Sequence, residues 1–206
     1  MALEKELKYL GADLDGLRER LEGLAEQGAA AHLAGPYLEA NLVFDLPGRP
    51  LKAARTLLRL RRKGGGEAVL CVKRAVAHGE QGGDGDGGLK TYEEHETVVA
   101  DFDAARALLE ALGYAVALRY EKLREVWRVG GAKRGVKACL DELPFGPFVE
   151  LEGEPEDVRA AAALLGLGGL QTSTATYHAL NRSHQLENGL PRDESFCFPQ
   201  RACGRG

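Results

Sequence analysis

No run of apolar residues in this 206-residue chain approaches the roughly 20 positions that a membrane-spanning helix needs. The opening residues are acidic and strand-like, not a basic stretch followed by a greasy one, so no signal peptide is expected and the protein reads as cytosolic. An excess of basic charge is also missing. The net charge of -4 and a pI near 5.8 argue against a nucleic-acid-binding surface. Cysteine is scarce, and its four copies contain no CxxC pairing, which fits reduced thiols in place of a disulfide framework. Cys197 and Cys203 with His184 match no standard zinc spacing. There is no HExxH and no G-x-S-x-G, so a zincin and a serine-hydrolase elbow are both excluded. The glycine-rich stretch 78–88 lacks the Lys-Ser/Thr ending and the following helix of a P-loop.

What the sequence does have is charge at every second position of its strand-like segments. Glu4, Glu6 and Lys8 open the series as Glu-x-Glu-x-Lys, with Leu3 and Leu7 at the opposite parity. Side chains two apart on a strand share a face, so each such segment has one charged and one greasy side. The pattern returns as Arg59 and Arg61, Lys73, Glu94 and Glu96, Lys122 and Arg124, Asp141, then Glu150 and Glu152. Leu58, Leu60, Leu70, Val72, Leu140, Val149 and Leu151 take the other face. Alternation alone usually means an open sheet with one wet side. A wet side, however, mixes in Thr, Ser and Gln, whereas this one is almost purely charged and sorted by sign from strand to strand. A sheet curled around those charges would enclose a tunnel, and about eight strands leave a bore suited to one small ligand. Charges so enclosed must pair or hold metal and ligand. The expected fold is α+β: an antiparallel eight-stranded barrel, closed or nearly closed, with helices packed outside.

Helices are expected over residues 13–27, 102–112, 155–165 and 174–186. The first carries Leu14, Leu17, Leu21 and Leu24 on one stripe behind Asp13. The second follows Asp101 and stops at Gly113, and the third starts at Pro155 and stops at Gly166. Their apolar stripes would cover the greasy outer faces of the strands. Residues 1–186 read as one tunnel domain and 187–206 as a flexible tail. The 78–88 stretch reads as a long hairpin loop at a tunnel mouth.

The ordered series resembles the CYTH proteins, also called triphosphate tunnel metalloenzymes, and within them the group similar to class IV adenylyl cyclases. It rests on Glu-x-Glu-x-Lys, the NLVFD stretch at 41–45, LRLR at 58–61 and the Lys73 strand. It continues through Glu94-x-Glu96, Lys122-x-Arg124, LDELPFGPFVELEGE at 140–154 and the helix carrying Tyr177, and covers roughly residues 1–185. Tyr92 stands where many members carry Arg, and Glu39 where Gln is common ahead of Asn41. The resemblance implies a triphosphate substrate, ATP or another, with no nucleic-acid or membrane partner and homodimerisation left open. Lys8, Arg59, Arg61, Lys73, Lys122 and Arg124 would bind it, guanidinium groups by two-pronged contact and lysines as mobile point charges. Carboxylates beside a polyanion need hard cations between them. Glu4, Glu6, Glu150 and Glu152, with Asp141, are therefore expected to hold Mg2+ or Mn2+, two ions in all. Lys73, Glu94 and Glu96 are the candidate catalytic residues. The implied reaction is conversion of ATP to cyclic AMP and pyrophosphate. The alternatives are hydrolysis of inorganic, thiamine or nucleoside triphosphate, and a non-catalytic polyphosphate-binding module.

Overall fold

The computed structural model describes residues 2–64, 66–75, 89–130 and 135–199, and it describes side chains from residue 5 onward except that of Lys90. The glycine-rich segment 78–88 lies outside the described residues. Strands β1 (Ala2–Leu10), β2 (Ala30–Asp45), β3 (Thr56–Lys63), β4 (Glu67–Ala75), β5 (Lys90–Val99), β6 (Ala115–Val129), β7 (Val136–Leu143) and β8 (Gly146–Glu152) join in one sheet. The order is β5-β4-β3-β2-β6-β7-β8-β1, and β5 pairs back onto β1, so the sheet closes into an antiparallel barrel. A two-residue strand, β9 (Thr172–Ser173), adds to β1 beside the seam. Closure removes the sheet edges and encloses the charged parity.

The greasy parity faces out, and helices cover it. Helix α1 (Leu14–Glu26) buries Leu14, Leu17 and Leu21, and α4 (Pro155–Leu165) buries Val158, Ala161, Ala162 and Leu165. Together they pack on Leu140, Val149, Leu151 and Trp127. Helix α3 (Phe102–Ala111) covers Leu58 and Leu60 with Ala105 and Leu109. The caps follow the sequence. The Asp13 carboxylate accepts from the Gly16 N–H at 3.1 Å, Asp101 accepts from Asp103 and Ala104, and Gly166 ends α4 at φ +71°. Glu125 ties α1 to the barrel by accepting from Arg18 Nε at 2.8 Å and Trp127 Nε1 at 2.9 Å.

A short helix, α2 (Pro50–Ala53), has no counterpart in the sequence reading. The Asp45 carboxylate builds it by accepting from the backbone N–H of Leu46, Leu51 and Lys52. Helix α5 (Tyr177–Glu187) begins over one end of the barrel, and Tyr177 reaches inward between β1, β7 and β8. The following segment also meets the barrel. Phe196 bridges in parallel to Tyr120 of β6 and is buried with Tyr120, Phe148 and Tyr177. Cys71 and Cys139 are free thiols, as expected, but Cys197 is disulfide-bonded, which corrects the expectation of four reduced cysteines. Lack of a CxxC pairing does not decide whether a cysteine is bridged, because a bridge depends on the geometry of the two Cα positions and not on one spacing. No helix among the described residues is long and apolar enough to cross a membrane.

Candidate functional site

Strand register decides which charges meet. Across β1 and β8, Glu6 stands opposite Glu152 and Lys8 opposite Glu150. Arg59 faces Cys71, which in turn faces Glu96, while Lys73 faces Glu94. Arg124 faces Asp141, and Glu39 faces Lys122. The bore they line is a cavity of about 680 Å³ that takes in Glu6, Lys8, Arg59, Arg61, Lys122 and Arg124.

Inside, cations and carboxylates form one connected network. Arg124 grips Asp141 with two parallel bonds, Nε to Oδ1 at 2.6 Å and Nη2 to Oδ2 at 2.5 Å, and also reaches Glu150 at 3.1 Å. Asp141 accepts further from Lys122 at 3.3 Å and from the Tyr177 hydroxyl at 2.7 Å. Lys8 lies between Glu6 at 2.5 Å and Glu150 at 3.0 Å, and Lys73 reaches Glu6 at 3.2 Å. Arg61 pairs with Glu96. Arg59 donates to the Tyr120 hydroxyl at 3.0 Å and lies 3.7 Å from Glu94 and 3.6 Å from Glu96. The Cys71 thiol donates to Glu94 at 3.1 Å, and at the mouth Lys137 pairs with Glu152 at 2.8 Å.

Burial opposes the charges of Asp141, Glu150 and Lys8, and the network overrides it. Asp141 is pushed up by burial, yet Arg124 and Lys122 hold it below the usual carboxylate range. Glu150 is held well below that range by Lys8 and Arg124 against the same penalty. Lys8 stays above the usual lysine range because Glu150 and Glu6 outweigh its own desolvation. Burial also pushes both thiols up to about 12, with nearby carboxylates adding to the shift, so Cys71 and Cys139 stay protonated.

The donor set fits a hard dication. Glu150 and Glu152 bring carboxylate oxygens within 4.8 Å of one another beside Cys139, and Glu94 and Glu96 do the same beside Cys71. Each cluster brings two carboxylates, and oxygen ligands are the preference of Mg2+ and Mn2+. Glu6 adjoins the first cluster through the β1 and β8 register. Glu4 continues the same parity, and its backbone pairs with Tyr92, but its side chain lies outside the described ones.

The other expected site residues, Asp141 excepted, line the bore. Asp141 is fully buried and its two oxygens are taken up by Arg124, Lys122 and Tyr177, so in this structure it orients cations. Sequence reasoning passed over Lys137 and Tyr120 as site residues, although they share parity with Asp141 and with Lys122, respectively. It named Glu39 only as a departure. That carboxylate is fully buried and has no hydrogen-bond donor on either oxygen, lying 3.8 Å from both Arg61 and Lys122. Those two cations, with Arg124 and Arg59, hold it below the usual carboxylate range despite burial. No local signal places Tyr177, whose position depends on how α5 crosses the barrel end.

Comparison with solved structures finds the same barrel. A candidate adenylate cyclase from Vibrio parahaemolyticus superposes with a TM-score of 0.67 at 21% identity, over 87% of this chain and 97% of its own. A Pyrococcus horikoshii protein gives 0.62 at 22% identity, over 90% and 99%. A candidate adenylyl cyclase from Hippeastrum, described as having a dominant triphosphatase activity, gives 0.61 at 18% identity, over 94% and 99%. At these identities the likeness is one of fold. No curated protein matches the sequence. The family model described as the CYTH domain matches residues 2–171, which hold the eight barrel strands and helices α1 to α4, and the chain therefore belongs to the CYTH domain family.

Proposed function

We propose that this protein is a divalent-metal-dependent enzyme that holds a nucleoside triphosphate by its phosphates, with conversion of ATP to cyclic AMP and pyrophosphate as its reaction. The observation that carries the reading is the convergence of Lys8, Arg59, Arg61, Lys122 and Arg124 on one enclosed bore beside a carboxylate corner. A solvated sheet face has no use for five buried cations, whereas a polyanion taken into a low-dielectric site needs them. The cavity also exceeds its charged section. Val43, Leu57, Leu118, Tyr120 and Tyr177 line an apolar part, and about 680 Å³ lies in the range of pockets that enclose an organic ligand. That part supports a nucleoside over inorganic triphosphate.

In this reading Glu6, Glu150 and Glu152, with Glu4, hold the metal, and Asp141 keeps Arg124 and Lys122 aimed at the phosphates. Bound Mg2+ or Mn2+ would neutralise phosphate charge and stabilise the attacking or leaving oxygen. Cyclisation forms the bond from the ribose 3′-oxygen to the α-phosphorus and breaks the bond from that phosphorus to the bridging oxygen of pyrophosphate. Lys73 and the arginines of β3 take up the charge that develops on the leaving group, and Glu94 and Glu96 hold those arginines in place. The same groups would serve hydrolysis by water at a terminal phosphorus, and the activity described for the Hippeastrum relative supports that second reading.

Product analysis separates them. The purified chain is incubated with ATP, inorganic triphosphate or thiamine triphosphate, under Mg2+ or Mn2+. Cyclic AMP and pyrophosphate in equal amounts from ATP are expected. Orthophosphate with no cyclic nucleotide would replace the cyclase with a triphosphatase, and binding without any product would leave a polyphosphate-binding module. Glu150→Gln should lose turnover under either metal, and full turnover of that variant would sink the metal assignment.

A further inference from the structure

Beyond the network already described, a second group of cations borders the same cavity, where α2 and α5 meet the strands. Arg49, Lys52, Arg55, Arg182 and Arg192 all line it, and none belongs to the charged strand series. Two of them are held in place. Arg49 sits at φ +57°, in the left-handed region, at the start of α2, and its Nη2 donates to the Ala117 carbonyl at 3.3 Å. A non-glycine residue stays there only when its surroundings enforce it. Lys52 follows within the same helix. The nearby Asp45 carboxylate forms no ion pair with either side chain within 4 Å; its oxygens accept from the N–H groups of Leu46, Leu51 and Lys52, and the Arg49 charge acts on it from farther off.

Their partner comes from the far end of the described chain. One oxygen of Glu194 accepts from Arg49 Nη1 and the other from Lys52 Nζ. Two oxygens of one anion, each on a separate cation, is also how a phosphate group would sit there. The segment around Glu194 has anchors that owe nothing to its carboxylate. Asp193 carbonyl oxygen accepts from Asn181 at 3.2 Å and Gln185 at 2.9 Å. On the other side Phe196 packs on Tyr120, Phe145 and His178. Its backbone accepts from Glu121 N–H at 2.9 Å and donates to the Arg119 carbonyl at 3.1 Å. A carboxylate between two firm anchors is poorly explained as the device that seats the segment. It is well placed to occupy a cation pair.

We propose that Arg49 and Lys52 form a second anion subsite of the tunnel, for a phosphate group of a bound polyphosphate or for pyrophosphate, and that Glu194 is its built-in occupant, which the ligand displaces. The proposal deepens the triphosphate reading of the bore and rests on it. The rim is partly exposed, with Arg49 at 35% and Lys52 at 58% side-chain exposure, so the effect is a modest, salt-sensitive one.

The test is titration calorimetry of wild type, Glu194→Gln and Glu194→Ala with pyrophosphate and with tripolyphosphate, at low and high salt, alongside thermal unfolding. Both variants should bind at least one of the two ligands about two- to fivefold more tightly at low salt. A gain for pyrophosphate marks the product, and a gain for tripolyphosphate alone marks the substrate's phosphate chain. Adding Arg49→Ala to Glu194→Gln should abolish the gain. Unchanged or weaker binding of both ligands would overturn the proposal, as would failure of both variants to fold, since the carboxylate would then be structural. Wild type that binds no tripolyphosphate at all would instead overturn the triphosphate reading of the bore.

Discussion

Replacing Asp141 by asparagine tests whether this tunnel is an ion-pair network as much as a binding site. The carboxylate is fully buried and accepts four hydrogen bonds, two from Arg124 and one each from Lys122 and Tyr177. Asparagine keeps the volume but removes the charge, and it turns one acceptor into a donor that faces guanidinium donors. Breaking a buried pair by removing one partner costs about 3–5 kcal/mol. Arg124 retains Glu150 at 3.1 Å and Lys122 retains Glu39 at 3.8 Å, which places the loss at the lower end. A loss of about 3 kcal/mol in a chain of this size lowers Tm by about 6–12 °C. The assay is thermal unfolding of the metal-free protein followed by circular dichroism. Added tripolyphosphate should recover part of the loss, because its oxygens offer Arg124 and Lys122 a new counter-charge. If Asp141 served only to hold a metal, its removal from the metal-free protein would relieve its repulsion with Glu150 and raise Tm. An unchanged or higher Tm would refute the reasoning.

Other perturbations probe the same balance. Glu39→Gln removes a buried negative charge from among four cations, so it should weaken the empty fold yet tighten tripolyphosphate binding in chelator; weaker binding, measured by calorimetry, would contradict this. Gly35→Ala should destabilise by more than about 1 kcal/mol, read by denaturant titration. Gly35 sits at φ +97° beside the irregular β2 and β6 pairing, and an added Cβ would meet the Arg124 carbonyl oxygen at 2.5 Å, so an unaffected midpoint would count against the close approach. Acid should unfold the protein through its tunnel. Burial pushes Glu39, Glu96, Asp141 and Glu150 up, but Lys122, Arg61, Arg124 and Lys8, respectively, hold each of them down. Their contribution is complete above the unfolded carboxylate range near 4 and is lost as pH falls through the lower folded values. Tm should therefore hold level from about pH 8 to 7, decline below about 6.5 because burial keeps His178 neutral down to about 4 in the folded state, and drop steeply below about 4, and a Tm that rose on acidification would exclude this account.

Much of this molecule is legible along the chain because strand parity is a local property. A residue two positions from Lys122 must share its face whatever the rest of the fold does, so Arg124 is placed with it from sequence alone, and Glu150 is placed with Glu152 in the same way. The purity of the charged parity implied enclosure, and α1, α3 and α4 were readable from their stripes and caps. The partnerships within the bore were not. Whether Arg124 meets Asp141 or Glu150, and whether Lys8 falls between Glu6 and Glu150, depends on the stagger of eight strands around a closed ring, and no single segment encodes that stagger. Residues that arrive from outside the strands were harder still. Tyr177 enters from a helix over the barrel end, and Glu194 reaches Arg49 across 145 positions of sequence. Such contacts carry no periodic signal, because they arise only when packing brings distant elements together.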